Sequence, residues 1–170
     1  YPQDPGDWTR GVGMALCNRS WHPAATEVAV EPRADGSVTV WVPFPEQGGG
    51  QHTVVRNVAV KELGLDPSMV QVRQAAAGEL SVDWGVGGSR VTGMAAIAVA
   101  EACRRLLSRL REQAGLPERT TPRQVQQAVA EYARRFGTEW IRFVADPGHL
   151  PEVTTFCAQI ARVRVDRRTG

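Results

Sequence analysis

The chain has 170 residues, 42% hydrophobic and 22% charged, with a formal net charge of +2. That size and balance fit one globular domain with a real core, and no apolar run approaches the roughly 20 residues a membrane-spanning helix needs. The positive charge is almost all arginine, with Lys61 as the single lysine. The richest stretch, Arg104 to Arg135, is interrupted by Glu112, Glu118 and Glu131 and has few aromatic residues. That pattern argues against a nucleic-acid surface.

Tyr1 to Arg10 is rich in Pro, Asp and Gly and is expected to be an N-terminal arm, residues 1–10, ahead of a single domain over 11–170. With no initiator Met and no signal pattern at Tyr1, the chain is expected to be a processed or excised piece of a larger subunit. Gly11 to Cys17 predicts a short strand. Glu27 to Glu31 and Ser37 to Val42 alternate, with Val28 and Val30, then Val38, Val40 and Val42, each on one face. The turn Pro32-Arg33-Ala34-Asp35-Gly36 joins them as a hairpin.

A first glycine loop follows, Glu46-Gln47-Gly48-Gly49-Gly50-Gln51-His52-Thr53. It leads into a helix predicted over Thr53 to Leu63, closed by Gly64. Val70 and Val72 mark the next strand. The long, helix-bearing connection from Val42 predicts a β–α–β crossover between parallel neighbours.

A second glycine loop, Asp83 to Thr92, contains Gly85, Gly87 and Gly88 and runs into a helix predicted over Val91 to Gln113 with Ser89 as N-cap. Thr121-Pro122 starts a third helix, which stops at Gly137. Strands are predicted over Trp140 to Val144 and Thr155 to Val165. The fold class is α+β, with three helices packed on a sheet. The last residues, Ala161 to Gly170, echo Val28 to Gly36, as if a second repeat began there.

Cys17, Cys103 and Cys157 lie in apolar stretches without CxxC spacing. Buried free thiols and a reducing, cytoplasmic compartment are expected. Asp83 has the position of a turn-forming aspartate, although it could act as a base. His22 precedes a proline, and His149 lies in a Pro-Gly loop. No set of residues has metal-ligand spacing, no nucleophile motif is present, and no catalytic constellation is complete.

The two loops carry the functional signal. A helix N-terminus offers unpaired N–H groups and the positive end of a dipole, and glycine lets a ligand approach the backbone. The candidate binding residues are Gly48, Gly49, Gly50, Gln51, His52 and Thr53 in the first loop. In the second they are Gly87, Gly88, Ser89, Arg90 and Thr92. Two such loops in one small domain predict a ligand with more than one anionic group.

In these motifs the chain resembles the molybdenum-binding subunit of xanthine dehydrogenases and aldehyde oxidases. That family shows a DG turn, an E-x-GQG-x-HT loop, a helix ending in Leu-Gly and a G-x-x-SR-x-T loop opening an Ala-rich helix. The counterparts are Asp35-Gly36; Glu46, Gly48, Gly50, His52 and Thr53; Leu63-Gly64; and Gly85, Ser89, Arg90 and Thr92. Thr154-Thr155-Phe156 through Ala158 to Val163 resembles a later strand of the family. The resemblance implies a domain that helps hold molybdopterin with molybdenum, the cytosine dinucleotide form included. It implies partners as well: the remainder of the molybdenum subunit, and iron–sulfur and FAD subunits or domains. It also implies a role in an oxidoreductase that hydroxylates heteroaromatics or aldehydes.

Gly49 stands where the family has glutamine, and Val91 where many members have serine. The family's catalytic glutamate, in a later G-x-GE segment, has no counterpart in these residues. The chain is therefore expected not to catalyse by itself, with a degenerate, phosphate-binding scaffold as the alternative.

Overall fold

The computed structural model describes residues 6–21, 23–148 and 154–170. The expectations for His22 and His149 lie outside the described residues. The chain divides into two compact units, residues 1–21 with 151–170, and residues 22–150.

The first unit is a two-stranded antiparallel ribbon. Strand β1 (Trp8–Ser20) pairs along its whole length with strand β6 (Thr154–Asp166), from Trp8 opposite Asp166 to Ser20 opposite Thr154. Three residues expected in the arm, Trp8 to Arg10, are thus part of a strand. At one end, the Arg164 guanidinium lies 4.1 Å from the centre of the Trp8 ring, and Arg167 Nε donates to Thr9 Oγ1 at 2.7 Å. The two segments of the expected repeat pair differently. Val163 and Val165 pair with Gly11 and Thr9, whereas Val28 and Val30 lie in the central sheet of the other unit.

The second unit is a four-stranded sheet in the order β4–β3–β2–β5, formed by β2 (Thr26–Pro32), β3 (Val38–Val42), β4 (Val70–Gln74) and β5 (Ile141–Ala145). Strands β2 and β3 form the expected hairpin, with Val30 opposite Val40. Strand β4 runs parallel to β3, Val40 beside Val72, and the crossover between them carries helix α1 (Gln51–Leu63). Gly64 closes α1 in the left-handed conformation, its N–H donating to the Val60 carbonyl. The two other helices are α2 (Ala96–Ala114) and α3 (Pro122–Phe136). Thr121 and Gln124 form a reciprocal capping box at the start of α3, with Pro122 in its first turn.

The core is built from the periodicities read in the sequence. Val28, Val30, Val38, Val40 and Val42 are fully buried, as are Val55 and Ala59 of α1 and Val99, Cys103, Leu106 and Leu110 of α2. The opposite side of the hairpin is covered as well. Ala29, Ala75 and Leu80 cluster there with Trp41 and Trp140, whose rings stack at 4.9 Å. Glu31 is buried on β2, where its carboxylate accepts from Trp41 Nε1 at 2.7 Å and Arg33 Nη1 at 2.9 Å.

Of the three cysteines only Cys103 is buried, and Cys17 and Cys157 are exposed on the ribbon. The alternation of a two-stranded ribbon puts side chains on both faces, and apolar neighbours in sequence do not by themselves bury a side chain.

The hairpin turn has one glycine that cannot be replaced cheaply. Gly36 has φ +86, and a Cβ there would lie 2.6 Å from Gln126 Cγ and 2.7 Å from the Gln126 carbonyl oxygen on α3. Gly64 has a similar φ of +66, but a Cβ there would meet nothing within 4 Å. Gly36→Ala combines left-handed strain with a backbone clash and is expected to lower stability by about 3 kcal/mol. Gly64→Ala carries the strain alone, about 1 kcal/mol. Urea denaturation of the two variants measures the difference.

Candidate functional site

Both glycine loops leave the same end of the sheet. The C-terminal ends of β3 and β4 lie side by side, Val42 beside Gln74, and the first loop follows β3 while the second follows β4. Strand β2 holds the approach to the second loop. The Glu27 N–H donates to the Val82 carbonyl at 2.9 Å, and the buried Glu27 carboxylate accepts from the Ser81 N–H and hydroxyl. Arg142 Nη1 lies 3.4 Å from the same carboxylate. Burial pushes the Glu27 carboxyl up, but the Ser81 and Arg142 contacts outweigh it and hold its pKa below the ordinary glutamate value.

The first loop is wrapped around its own carboxylate. Glu46 accepts three backbone N–H groups, those of Gly48, Gly50 and His52, each at 2.9 Å. Gly50 sits at the N-cap of α1 with φ 77, so Glu46 occupies the positive end of that helix. These bonds hold the Glu46 carboxyl below its ordinary pKa, His52 N–H contributing most. The Gln51 side-chain oxygen accepts from Gly49 N–H at 3.2 Å and Gln47 N–H at 3.4 Å. The N–H groups that made this loop a candidate anion site are therefore engaged within the loop itself. A carboxylate two residues ahead of alternate glycines was the available signal, and Glu46 was missing from the candidate residues.

Gln51 bends back over Gly49, and a Cβ at Gly49 would lie 3.1 Å from Gln51 Nε2. The side-chain amide of Gln51 thus sits where a longer residue 49 would begin. His52 turns another way. Its Nε2 lies 3.1 Å from the Phe44 carbonyl oxygen, within donating distance, and it lines a separate surface cleft of about 370 Å³ with Thr53, Arg56 and Val72.

The second loop is more distorted than its sequence suggests. Gly88 has φ 71, and Ser89 has φ 60 in the left-handed region, where a side chain is strained. Ser89 makes no capping hydrogen bond, and the expected helix start at Val91 is a widened π turn over Val91–Ala95 before α2 begins at Ala96. Such turns are frequent at functional sites. Asp83 accepts the Gly85 N–H at 2.8 Å, which makes it a turn-forming residue. Arg90 folds back so that Nε donates to the Gly87 carbonyl at 2.7 Å. Its Nη1 is buried and has no hydrogen-bond partner. A buried guanidinium N–H without an acceptor is costly, and an anionic oxygen is the partner that suits it.

The two loops meet at one cleft. A cavity of about 220 Å³ is lined by Gly49, Gln51 and Val54 from the first loop and α1, and by Val86, Ser89, Val91 and Thr92 from the second. Among the candidate residues, Gly49, Gln51, Ser89 and Thr92 come together here. Arg90 borders it in sequence without lining it, Gly48 and Gly50 are engaged with Glu46, and His52 and Thr53 face the other cleft. The cleft is smaller than the roughly 300–1,000 Å³ of a complete ligand pocket. Among the described residues, no set of three or more His, Cys, Asp or Glu is placed to hold a metal, and no helix is long and apolar enough to cross a membrane.

A protein-family profile described as a molybdopterin cofactor-binding domain matches residues 2–170. Among curated proteins, none matches the sequence. Solved structures do. Quinoline 2-oxidoreductase from Pseudomonas putida 86 is 16% identical with a TM-score of 0.70, over 96% of this chain and 25% of its own. CO dehydrogenase from Oligotropha carboxidovorans is 16% identical with a TM-score of 0.65, over 95% of this chain and 24% of its own. Aldehyde oxidoreductase from Desulfovibrio gigas is 22% identical with a TM-score of 0.63, over 96% of this chain and 19% of its own. At these identities the likeness shows a shared fold. The chain spans about a quarter of the length of these neighbours, or less.

The Glu46 staple gives a pH-dependent prediction. A carboxyl whose folded pKa is depressed holds its loop fully at neutral pH and loses that hold as pH falls through the folded pKa, below the ordinary glutamate range. Amide hydrogen exchange, corrected for intrinsic rates, is expected to show Gly48, Gly50 and His52 protected at neutral pH and deprotected at acid pH. In Glu46→Ala all three should exchange fast at both.

Proposed function

The chain belongs to the molybdopterin cofactor-binding domain family, and from that premise we propose that its two glycine loops form one wall of a molybdopterin site in a larger molybdenum hydroxylase. The cleft that both loops line is the observation that supports it. Ser89 and Thr92 offer hydroxyls to a phosphate there; between them in sequence, though not lining the cleft, Arg90 carries a charged donor, Nη1, that lacks an acceptor within the protein. Gln51 takes over the amide role that the family gives to the residue at Gly49, because its side chain already lies over that glycine.

Gly48, Gly50, His52 and Thr53 shape the loop rather than touch the phosphate. Glu46 keeps their backbone in place and occupies the α1 terminus, which leaves the second loop as the anion-accepting segment. Once bound, the cofactor would supply molybdenum and its two-electron redox chemistry, and this chain's residues would position its anionic portion. The cytosine dinucleotide form is the version favoured here, since a second phosphate extends the anionic surface that two loops can hold. The reaction would be a hydroxylation of an aldehyde or heteroaromatic, with electrons leaving through iron–sulfur and FAD partners.

The natural-length protein isolated from molybdate-supplied cells tests this. Molybdenum and organic phosphate are expected at about one cofactor per chain, and Arg90→Ala, which loses a charge-assisted contact, is expected to lower both roughly 10-fold or more after dialysis. Folded protein with neither molybdenum nor phosphate would refute the proposal. Gly49→Gln, whose Cβ needs only the flexible Gln51 to yield, should fold and retain the cofactor at least as well.

A further inference from the structure

Cys17 and Cys157 stand directly opposite one another across the β1–β6 ribbon, and both are free and exposed. Opposed residues of an antiparallel pair project to the same face with Cα atoms about 4.5 or 5.5 Å apart, according to the type of pair. Both separations lie within the 4.4–6.8 Å or so that a disulfide spans. The neighbours on the same face are small or polar: Ala15 opposite Gln159 on one side, Arg19 opposite Thr155 on the other. Both thiols are exposed beside them.

We propose that Cys17 and Cys157 are a reversible redox pair, closing to a cross-strand disulfide that ties the two terminal strands of the chain together. The oxidant is a low-molecular-weight disulfide. One thiolate of the pair attacks it, forming a mixed disulfide and releasing one small thiol. The second thiolate then attacks the protein sulfur of that mixed disulfide and releases the other small thiol. Two electrons pass from the cysteine pair to the small disulfide, whose two sulfurs leave with the two protons the cysteines lose. In a reducing compartment the pair stays open, and a rise in the oxidised small-thiol pool closes it.

Cys103 is no competitor. It is fully buried in α2, where burial pushes its thiol pKa far up. Cys17 lies near one end of the chain and Cys157 near the other, with the entire second unit between them. Closing so long a loop restricts the unfolded chain strongly, and the thermal midpoint should rise by roughly 10 °C. This device rests on the ribbon alone and does not depend on the cofactor reading.

The test is to incubate the folded 170-residue chain with oxidised glutathione and count thiols. Two of the three should disappear without covalent dimers, with a mass loss of two hydrogens. A non-reducing peptide map should join the Cys17 and Cys157 peptides, and the rise in thermal midpoint should reverse with dithiothreitol. Cys103→Ala, which leaves no polar group in the core, should form the same link, while Cys17→Ser, at an exposed position, should fold with an unchanged circular dichroism spectrum and form no link. Glutathione adducts that persist on both cysteines, linkage between chains, or thiols that stay reduced would each overturn the proposal.

Discussion

Strand β2 is buried along all seven residues, and the second unit is organised around satisfying it. A strand buried on both faces needs a layer on each side and a partner for every polar atom. Val28 and Val30 lie in the valine core. On the other side lie Ala29 and two glutamates, Glu27 and Glu31, neither of which can remain buried without donors. Trp41 and Arg33 serve Glu31; Ser81 and Arg142 serve Glu27. The last of these arrangements has a functional consequence, because Ser81 and Val82 are the residues from which the second glycine loop departs. The demands of the core thus fix where one wall of the cleft begins.

The two loops resemble each other in sequence and differ in physics. Both are glycine-rich and both precede a helix, but the first closes on its own carboxylate and the second leaves a buried cationic donor unpaired. A helix terminus can hold one anion well, and Glu46 already holds that position on α1. The proposed division of labour rests on this difference: the first loop is closed on itself, and the second keeps a donor for a ligand. The strained Ser89 and the π turn after it are in keeping with a segment shaped for contact rather than for stability.

Much of this was legible in the residues. The alternating valines of β2 and β3 and the Asp35-Gly36 turn specify the hairpin. The distance from Val42 to Val70 requires a crossover, and Thr121-Pro122 with Gln124 spells out a helix start. The family followed from the order of the motifs. What stayed hidden depends on contacts distant in sequence or on choices among hydrogen-bond acceptors. No local signal pairs Trp8–Ser20 with Thr154–Asp166, so the short strand, the arm and the echo of a repeat were all assigned without knowledge of the ribbon. The exposure of Cys17 and Cys157 follows from the same pairing. Glycine content reveals that N–H groups are accessible, but not that Glu46 takes them first. Ser89 has an N-cap's identity and position, yet its backbone is left-handed and its side chain makes no capping hydrogen bond.

The claim most open to direct test is that the second loop, and not the first, receives the anion. Pyrophosphate titrated into the isotopically labelled chain reports this residue by residue through backbone and guanidinium NMR shifts. The account predicts the largest changes at Ser89, Thr92 and the Arg90 side chain, with Gly49 and Gln51 following and the amides of Gly48, Gly50 and His52 nearly still. Largest changes at those three amides, with Arg90 unmoved, would contradict it.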